Sequence, residues 1–170
     1  MADGLEIRAA DPFSAEAALL CTRLSSELAV MYPEYIDAGA GDFRPEDAAV
    51  PGSAFLIAWL GDQPVGCAAL RPMAPGIAEF KRLYVEPRVR RQGIAGRLVV
   101  ALELAARGLG YTTVRLETGV RQPGSIRACE SAGFRRIANY GIYIDNPLSL
   151  CFEKTITPSP AGFAAGQSQS

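Results

Sequence analysis

A glycine-bearing segment in the middle of the chain has the composition of a phosphate-binding site. Residues 76–97 read GIAEFKRLYVEPRVRRQGIAGR, where a strand-like run is followed by a basic turn and then a helical pattern. The first turn of a helix offers unpaired N–H groups and a positive dipole end, and Gly93, Ala95 and Gly96 are small enough to let a phosphate approach. The arginines that would pair with phosphate oxygens are Arg88, Arg90, Arg91 and Arg97. The segment therefore predicts a pyrophosphate site.

The same segment has a simpler interpretation as an ordinary helix start with solvated arginines, because such glycines and arginines are common. Two better-known phosphate-binding motifs fit poorly. No Gly-Lys-Ser/Thr follows the glycines, as a Walker-type loop requires. The segment also follows a predicted hairpin, whereas a dinucleotide fold places its glycines in an opening βαβ unit.

The chain contains no histidine, which excludes Ser-His and Cys-His nucleophiles and histidine-based metal sites. Its four cysteines are far apart in sequence and form no CxxC pair, so neither a zinc ribbon nor a dithiol redox motif is indicated. Acid–base chemistry must come from carboxylates, tyrosines, cysteines or water, and no metal is expected.

The elements that must position these residues follow from hydrophobic periodicity. Strands are predicted over residues 5–10, 53–60, 65–70, 77–85, 112–117, 134–138 and 149–155. Helices are predicted after a Ser14 cap, over 93–107 and over 125–132, with a loop and one short helical turn in 32–51. This order predicts an α/β fold, with a mixed sheet and helices on its faces.

Length and composition set the class of protein. With 170 residues, 49% of them hydrophobic and 21% charged, the chain is predicted to form one domain over 1–156 and a disordered tail over 157–170. A net charge of −1 argues against a nucleic-acid or membrane partner, and no apolar run is long enough to span a bilayer. The acidic N-terminal stretch lacks an apolar export core, so a cytoplasmic location is expected.

Three segments in order resemble the GCN5-related N-acetyltransferase (GNAT) superfamily. Residues 90–95, Arg-Arg-Gln-Gly-Ile-Ala, match its Arg/Gln-x-x-Gly-x-Gly/Ala signature after a strand of the expected kind. Residues 119–134, GVRQPGSIRACESAGF, resemble its second cofactor segment, and residues 145–154 resemble the last strands of one bacterial branch. The resemblance implies a mostly antiparallel mixed sheet of about seven strands flanked by about four helices. It also implies an acyltransferase that binds acetyl-CoA between the fourth and fifth strands. The acetyl group is expected to pass to a primary amine of a small molecule or peptide, by direct attack of the amine in a ternary complex. Whether the protein forms a homodimer is left open.

The resemblance also assigns the cofactor-binding residues. The pyrophosphate loop falls on Arg91, Gln92, Gly93, Ile94, Ala95 and Gly96, with Arg90 and Arg97 adjacent. The pantetheine arm is expected along the backbone of Leu83, Tyr84 and Val85. The N–H of Leu83 would polarise the acetyl carbonyl, which contributes about 3 kcal/mol to lowering a barrier of this kind.

Glu79 is the candidate general base, because several family members carry a glutamate fourteen residues before the loop glycine, as Glu79 stands before Gly93. Strand alternation predicts Glu79, Lys81 and Leu83 on one face, directed to the cleft. The alternative is a structural carboxylate paired with Lys81 or a nearby arginine.

The sequence departs from the family at Cys129, where many members carry a tyrosine that protonates the coenzyme A thiolate. The Cys129 thiol could donate that proton. Alternatively, Cys129 is only a buried helix residue, and then either the thiolate leaves without a proton donor or Tyr84, Tyr140 or Tyr143 donates the proton in its place. Substrate contacts are expected from Tyr32, Tyr35 and Lys81, with further aromatics at Phe43, Tyr140 and Tyr143 and a further cation at Arg82.

Two other functions stay open at this point. A non-catalytic acyl-CoA sensor would keep the cofactor site without turnover, which the Cys129 departure allows. A nucleic-acid-binding protein would use the basic segment 81–97, although only that segment is basic.

Overall fold

The computed structural model describes residues 2–34 and 43–159, and a seven-stranded sheet forms its centre. The strands are β1 (Leu5–Ala9), β2 (Ala54–Leu60), β3 (Gln63–Ala74), β4 (Ile77–Val85), β5 (Thr113–Gly119), β6 (Arg135–Ile137) and β7 (Ser149–Thr155). The helices are α1 (Ala15–Met31), α2 (Ile94–Gly108) and α3 (Pro123–Ser131). The sheet order is β1-β2-β3-β4-β5-β7-β6, and every neighbouring pair is antiparallel except β4 with β5. The predicted mixed, mostly antiparallel sheet is confirmed.

The number of helices is corrected from about four to three α-helices within the described residues. In the described part of the connection from α1 to β2, the helical turn is a short 3-10 helix, Pro45–Ala48. Proline suits the first turn of a helix, but one turn makes few hydrogen bonds and does not grow into an α-helix without a packed apolar face.

Local sequence signals account for the ends of several elements. Ser14 Oγ accepts a hydrogen bond from the Ala17 N–H at 3.2 Å, which caps α1 as predicted. Gly61, with a φ of 56°, lies in the two-residue turn between β2 and β3. Gly110 and Gly133, both with a φ of 88°, follow α2 and α3 and end them.

The sheet buries one apolar cluster on each face. The α2–α3 cluster contains strand residues such as Ala68 and Phe80 together with the inner faces of α2 and α3. The α1 cluster contains Cys67, Ala69 and Tyr84 beneath α1. Removal of this apolar surface from water is the main source of stability.

A bulge in β4 interrupts its pairing with β3. The register shifts by one residue between the pairs Cys67–Tyr84 and Ala69–Lys81, so β4 carries one residue more than β3 there. Arg82 lies in this stretch with a φ of 60°, a left-handed conformation that residues with side chains seldom adopt. Packing of the surrounding sheet must hold Arg82 in this conformation, at a cost of about 1–2 kcal/mol.

The bulge corrects the prediction that Glu79, Lys81 and Leu83 share one face. Lys81 pairs with Ala69, whose side chain belongs to the α1 cluster, whereas Leu83 packs against the α2–α3 cluster. Simple alternation fails because the extra residue reverses the side-chain direction after it. The expected role of Leu83 uses its backbone N–H and does not depend on its side chain.

The parallel ladder between β4 and β5 is short. It joins residues 77–80 to residues 113–116, and both strands continue beyond it. The edge of β4 that faces β5 is therefore not paired with β5 after Phe80, and a gap opens between the two strands.

The first residues of the predicted tail pack against α2. The Ser159 N–H donates to the Arg107 carbonyl at 3.0 Å, and Arg107 Nη1 donates to the Thr157 carbonyl at 3.2 Å. Residues 160–170, like Tyr35, lie outside the described residues. Among the residues that are described, no helix combines the length and apolar character needed to cross a membrane.

A methyl group at Gly66 is expected to destabilise the sheet. A Cβ there would lie 2.7 Å from the Tyr84 carbonyl oxygen, which cannot move without disturbing the β3–β4 ladder, and 3.2 Å from a Leu98 methyl. Gly66→Ala should lower the free energy of unfolding in urea by about 1–3 kcal/mol. Gly124→Ala is the control, because a Cβ at that helical position meets nothing within 4 Å and should be neutral or stabilising. Equal losses in the two variants would contradict this explanation.

Candidate active site

A cavity of about 150 Å³ fills the gap between β4 and β5. Residues 80–83 of β4 and 116–119 of β5 form its sides. Leu24 and Leu28 of α1 and Cys129 of α3 cover it, and residues before β7 complete the wall. The shape suits an extended, flexible chain that lies between the strands.

Thr118 gives this cavity a polar atom that lacks a partner. The residue is buried on β5, and its Oγ1 has no hydrogen-bond partner among the described residues. A buried hydroxyl without a partner costs about 1–3 kcal/mol, so native proteins rarely leave one. The gap therefore fits a ligand that brings a hydrogen-bonding group to β5, as the amides of a pantetheine arm would.

The start of α2 has the backbone form that the sequence predicts for a phosphate site. Arg91 and Gly93 adopt φ values of 65° and 77°, and the buried Ile94 anchors the first turn. The Arg97 N–H bonds to the Gly93 carbonyl at 3.1 Å, so the N–H groups before Arg97 are available to an anion as at any helix start. A Cβ at Gly93 or Gly96 would meet nothing within 4 Å, which leaves this surface open.

Two of the arginines expected near the phosphate instead make contacts within the protein. Arg90 donates to the Val85 carbonyl at 2.8 Å and pairs with Glu27 of α1 at 2.6 Å. Arg97 donates to the Leu5 carbonyl at 3.1 Å. All four arginines are exposed, as is Gln92. Arg90 and Arg97 thus tie the loop to α1 and β1, while Arg91 is an exposed cation within the loop itself.

Glu79 is buried, with both carboxylate oxygens engaged. Oε1 accepts hydrogen bonds from Arg71 Nε at 2.9 Å and Nη2 at 2.8 Å, and Oε2 accepts one from the Tyr140 hydroxyl at 2.7 Å. Asp47 joins this group through a 3.3 Å pair with Arg71. Burial, and then the charge of Glu79, raise the pKa of Tyr140 well above its usual range, so Tyr140 stays protonated. This arrangement agrees with the alternative in which Glu79 is a structural carboxylate paired with a nearby arginine. It also fixes the position of the Glu79 carboxylate.

Lys81 connects this buried group to the cavity, which it lines. Its Nζ lies 2.7 Å from the Tyr143 hydroxyl, and the Tyr143 ring packs edge-on against that of Tyr140 with centroids 5.7 Å apart. Side-chain contacts therefore link the cavity wall to Glu79, through the Lys81–Tyr143 hydrogen bond, the contact of the two tyrosine rings and the Tyr140–Glu79 hydrogen bond. Arg71 lies opposite Glu79 on the neighbouring strand β3, whereas Tyr140 and Tyr143 come from a distant part of the chain that no short sequence motif links to β4.

Cys129 lies on α3 at the cavity wall, almost completely buried. Burial raises the pKa of its thiol to about 12. A thiolate leaving group with an ordinary pKa of about 8.5 would not take a proton from so weak an acid. The burial of Cys129 therefore favours its interpretation as a packing residue.

Tyr32, expected to bind substrate, lines the cavity and closes it toward the β5–α3 loop. Its hydroxyl accepts a hydrogen bond from the Arg121 N–H at 2.9 Å and would lie 1.9 Å from a Cβ at Gly119. The Arg121 side chain pairs with Glu34 at 2.6 Å, and Gln122 Oε1 accepts a bond from the Gly119 N–H at 2.9 Å. Residues 119–134 resemble a cofactor segment in the sequence, but no sequence signal predicts that Tyr32 and Glu34, which follow α1, contact the start of this segment.

A sheet that opens between its parallel strands, with a channel in the opening and a glycine-led helix start after β4, is the arrangement that the resemblance to acyl-coenzyme A-dependent transferases predicts. Comparison with known proteins identifies the group within this class. The chain belongs to the acetyltransferase (GNAT) family, whose model matches residues 21–134. The predicted family is confirmed, and with it N-acetyltransferase activity with acetyl-CoA, the donor that the family uses.

Two curated relatives illustrate the similarity. An IAA acetyltransferase from Azospirillum brasilense is 34% identical over 133 residues, which cover 72% of this chain and 87% of that protein. Mouse N-acetyltransferase 8 is 38% identical over 100 residues, 56% of this chain and only 44% of the mouse protein.

Solved structures share the fold. A Klebsiella pneumoniae protein classed as an acyl-CoA N-acyltransferase matches with a TM-score of 0.72 and 28% identity over 89% of this chain and 97% of that one. A GNAT acetyltransferase from Elizabethkingia anophelis with acetyl-CoA bound matches with a TM-score of 0.64 and 19% identity, over 91% and 99% of the two chains.

Replacement of Thr118 by valine tests whether its hydroxyl serves a ligand. Thr118→Val keeps the shape and removes the buried unpaired oxygen, so the free energy of unfolding should stay the same or rise by about 1 kcal/mol. The affinity for coenzyme A, measured by calorimetry, should fall by about two- to tenfold, the value of one hydrogen bond. An unchanged affinity would show that Thr118 does not contact the bound molecule.

Proposed function

We propose that acetyl-CoA binds with its pantetheine arm between β4 and β5 and its pyrophosphate at the start of α2. The acetyl group then passes directly to a primary amine of a small molecule or peptide in a ternary complex. The observation that carries this proposal is the end of the β4–β5 ladder after Phe80, which leaves backbone groups of β4 and the Thr118 hydroxyl facing one channel. Bound acetyl-CoA would supply an activated thioester there.

The backbone of β4 has two roles in this proposal. Residues 83–85 would pair with the pantetheine arm as an added strand, and the Leu83 N–H would donate to the thioester carbonyl oxygen. Such a donor stabilises the developing negative charge by about 3 kcal/mol. The bulge at Arg82 supports this role, because it changes the direction of the peptide groups next to Leu83.

The phosphate end would be held by backbone N–H groups of residues 92–96 and by the Arg91 side chain. The left-handed backbone at Arg91 and Gly93 directs successive N–H groups toward one point. In this proposal Arg90 and Arg97 support the loop through their contacts with Val85 and Leu5.

Glu79 would accept the ammonium proton of the substrate. The amine must lose a proton to attack, and Glu79 is a carboxylate held in a fixed position two residues from Lys81 of the cavity wall. Because both its oxygens already accept hydrogen bonds, the proton would reach it through one intervening hydroxyl, of Tyr140 or of water. Because burial makes the Cys129 thiol a weak acid, coenzyme A would leave as the thiolate in this proposal.

Acceptor contacts would come from the cavity wall at Tyr32 and Lys81, and from Tyr35, which lies outside the described residues. The A. brasilense relative is an IAA acetyltransferase, but its name does not fix the acceptor of this chain. Release of free thiol from acetyl-CoA should be measured with amines, amino acids, polyamines and peptides. Turnover with at least one amine supports the proposal, whereas binding of acetyl-CoA without turnover on any acceptor would favour the non-catalytic sensor.

The phosphate site can be tested with a matched pair of glycines at the two ends of α2. Gly93 and Gly110 both have positive φ, and a Cβ at either meets nothing within 4 Å, so alanine adds about the same strain at each. Gly93→Ala should weaken coenzyme A binding at least tenfold in calorimetry, because it disturbs the loop backbone. Gly110→Ala should lose similar stability but keep its affinity. Equal affinities in the two variants would place the phosphates elsewhere.

The proton acceptor can be tested by comparing Glu79 with Glu153. Glu79→Gln should lower the rate by about 10²- to 10⁴-fold at neutral pH with unchanged coenzyme A affinity, and higher pH should restore part of it because more amine is already deprotonated. Glu153→Gln also removes a carboxylate paired with an arginine on the sheet, here Arg115 at 2.7 Å, and should leave the rate nearly unchanged. Rate–pH profiles of the same shape in wild type and Glu79→Gln would mean that Glu79 only anchors Arg71 and Tyr140.

A further inference from the structure

Two cysteines that are 46 positions apart in sequence meet between α1 and the sheet. Cys21 lies on α1, half-buried, and packs against the α1 cluster, of which Cys67 on β3 is a fully buried member. The α1 cluster thus brings the two residues together, and the interaction between their thiols is the largest influence on the pKa of each.

The position of Cys67 connects this pair to the bulge of β4. Cys67 pairs with Tyr84, at the register shift, and its Sγ donates to the Arg82 carbonyl at 3.3 Å. The Cys67 thiol has one proton and two acceptors within reach, the Arg82 carbonyl and the Cys21 sulfur. An ionised Cys21 is the stronger acceptor of the two, so ionisation of Cys21 draws that proton toward it.

The surroundings favour the thiolate at Cys21 and the neutral thiol at Cys67. The hydrogen bond with Cys67, and then the Arg82 guanidinium, lower the pKa of Cys21 from its usual 9.0 to about 7 against the opposing effect of burial. The same hydrogen bond and complete burial raise the pKa of Cys67 well above its usual range. The pair therefore combines a nucleophilic sulfur on a half-buried residue with a neighbouring thiol that can resolve its oxidised form.

We propose that Cys21 and Cys67 are a redox modification site that forms a reversible disulfide with hydroperoxides. The Cys21 thiolate attacks one peroxide oxygen, the O–O bond breaks, and Cys21 becomes a sulfenic acid while hydrogen peroxide is reduced to hydroxide. Cys67 then attacks the Cys21 sulfur, the S–O bond breaks, and hydroxide leaves with the Cys67 proton as water. A dithiol reductant restores both thiols, and the disulfide ties α1 to β3 one turn away from Leu24, which lines the cavity.

Two cysteines of the same chain serve as internal references. Cys129 and Cys151 are buried, and burial raises the pKa of both, to about 12 at Cys129. Neither should react at neutral pH before Cys21 does. This site is independent of acetyl transfer, so its failure and that of the proposed function would be distinguishable.

Peroxide trapping tests the disulfide directly. The reduced protein is treated with one equivalent of hydrogen peroxide, remaining thiols are blocked with N-ethylmaleimide, and the digest is analysed by mass spectrometry with and without reduction. A Cys21–Cys67 crosslinked peptide that disappears on reduction is expected. First oxidation at Cys129 or Cys151, or a Cys21 sulfenic acid that Cys67 never resolves, would overturn the proposal.

A matched pair of substitutions tests the contact between the thiols. Iodoacetamide alkylation of Cys21 should reach half its maximal rate near pH 7 in the wild type. Cys67→Ala removes the hydrogen-bond donor and should slow alkylation at pH 7 by about tenfold or more, whereas Cys67→Ser keeps a donor and should change it little. Circular dichroism and urea unfolding identify any variant that fails to fold. Equal alkylation rates in folded Ala and Ser variants would show that the thiols do not interact.

Discussion

The separation of β4 from β5 is the constraint on which the rest of this structure depends. A parallel pair of strands normally stays joined along its length, yet here the ladder ends after Phe80 and Leu116. The extra residue at Arg82 alters the twist and direction of β4 just beyond that point. Three features lie along the resulting gap: the channel, the unpaired edge of β4 and the Thr118 hydroxyl, which has no hydrogen-bond partner among the described residues.

The left-handed backbone of Arg82 is held in place by contacts on the α1 side of the sheet. Its guanidinium lies over the Phe43 ring, 5.2 Å from the centroid, and its carbonyl accepts a bond from Cys67. These contacts link the bulge to the packing of α1. The thiol pair and the proposed oxyanion donor at Leu83 are therefore neighbours along the same few residues of β4, which gives oxidation of Cys67 a short structural path to the cleft.

Ion pairs hold α1 across the opening. Glu27 pairs with Arg90, and Arg23 pairs with Glu86 at the end of β4. At the other end of α1, Glu34 pairs with Arg121 of the β5–α3 loop. Pairs in which at least one partner is exposed contribute little to stability individually, but here they connect α1 to both sides of the gap. Several arginines that looked like phosphate ligands or solvated charges thus help to shape the site.

The sequence by itself determined the elements and the start of α2. Periodicity, the Ser14 cap and the glycines after α2 and α3 are local signals, because each depends on residues within one or two turns. The order of the predicted elements, with the motif at residues 90–95, was enough to indicate the family and the sheet. The expectation of a fourth helix came from the family and was not met in the described residues.

Only the tertiary structure decided which side chains meet. The bulge that turns Leu83 away from Glu79 and Lys81 depends on the register with β3, and alternation along one strand cannot reveal it. Arg71 and Tyr140 reach Glu79 from positions 8 and 61 residues away, and Cys21 reaches Cys67 from another element. Such contacts, and the pKa changes that follow from them, depend on long-range packing and burial, which residue type and spacing along the chain do not encode.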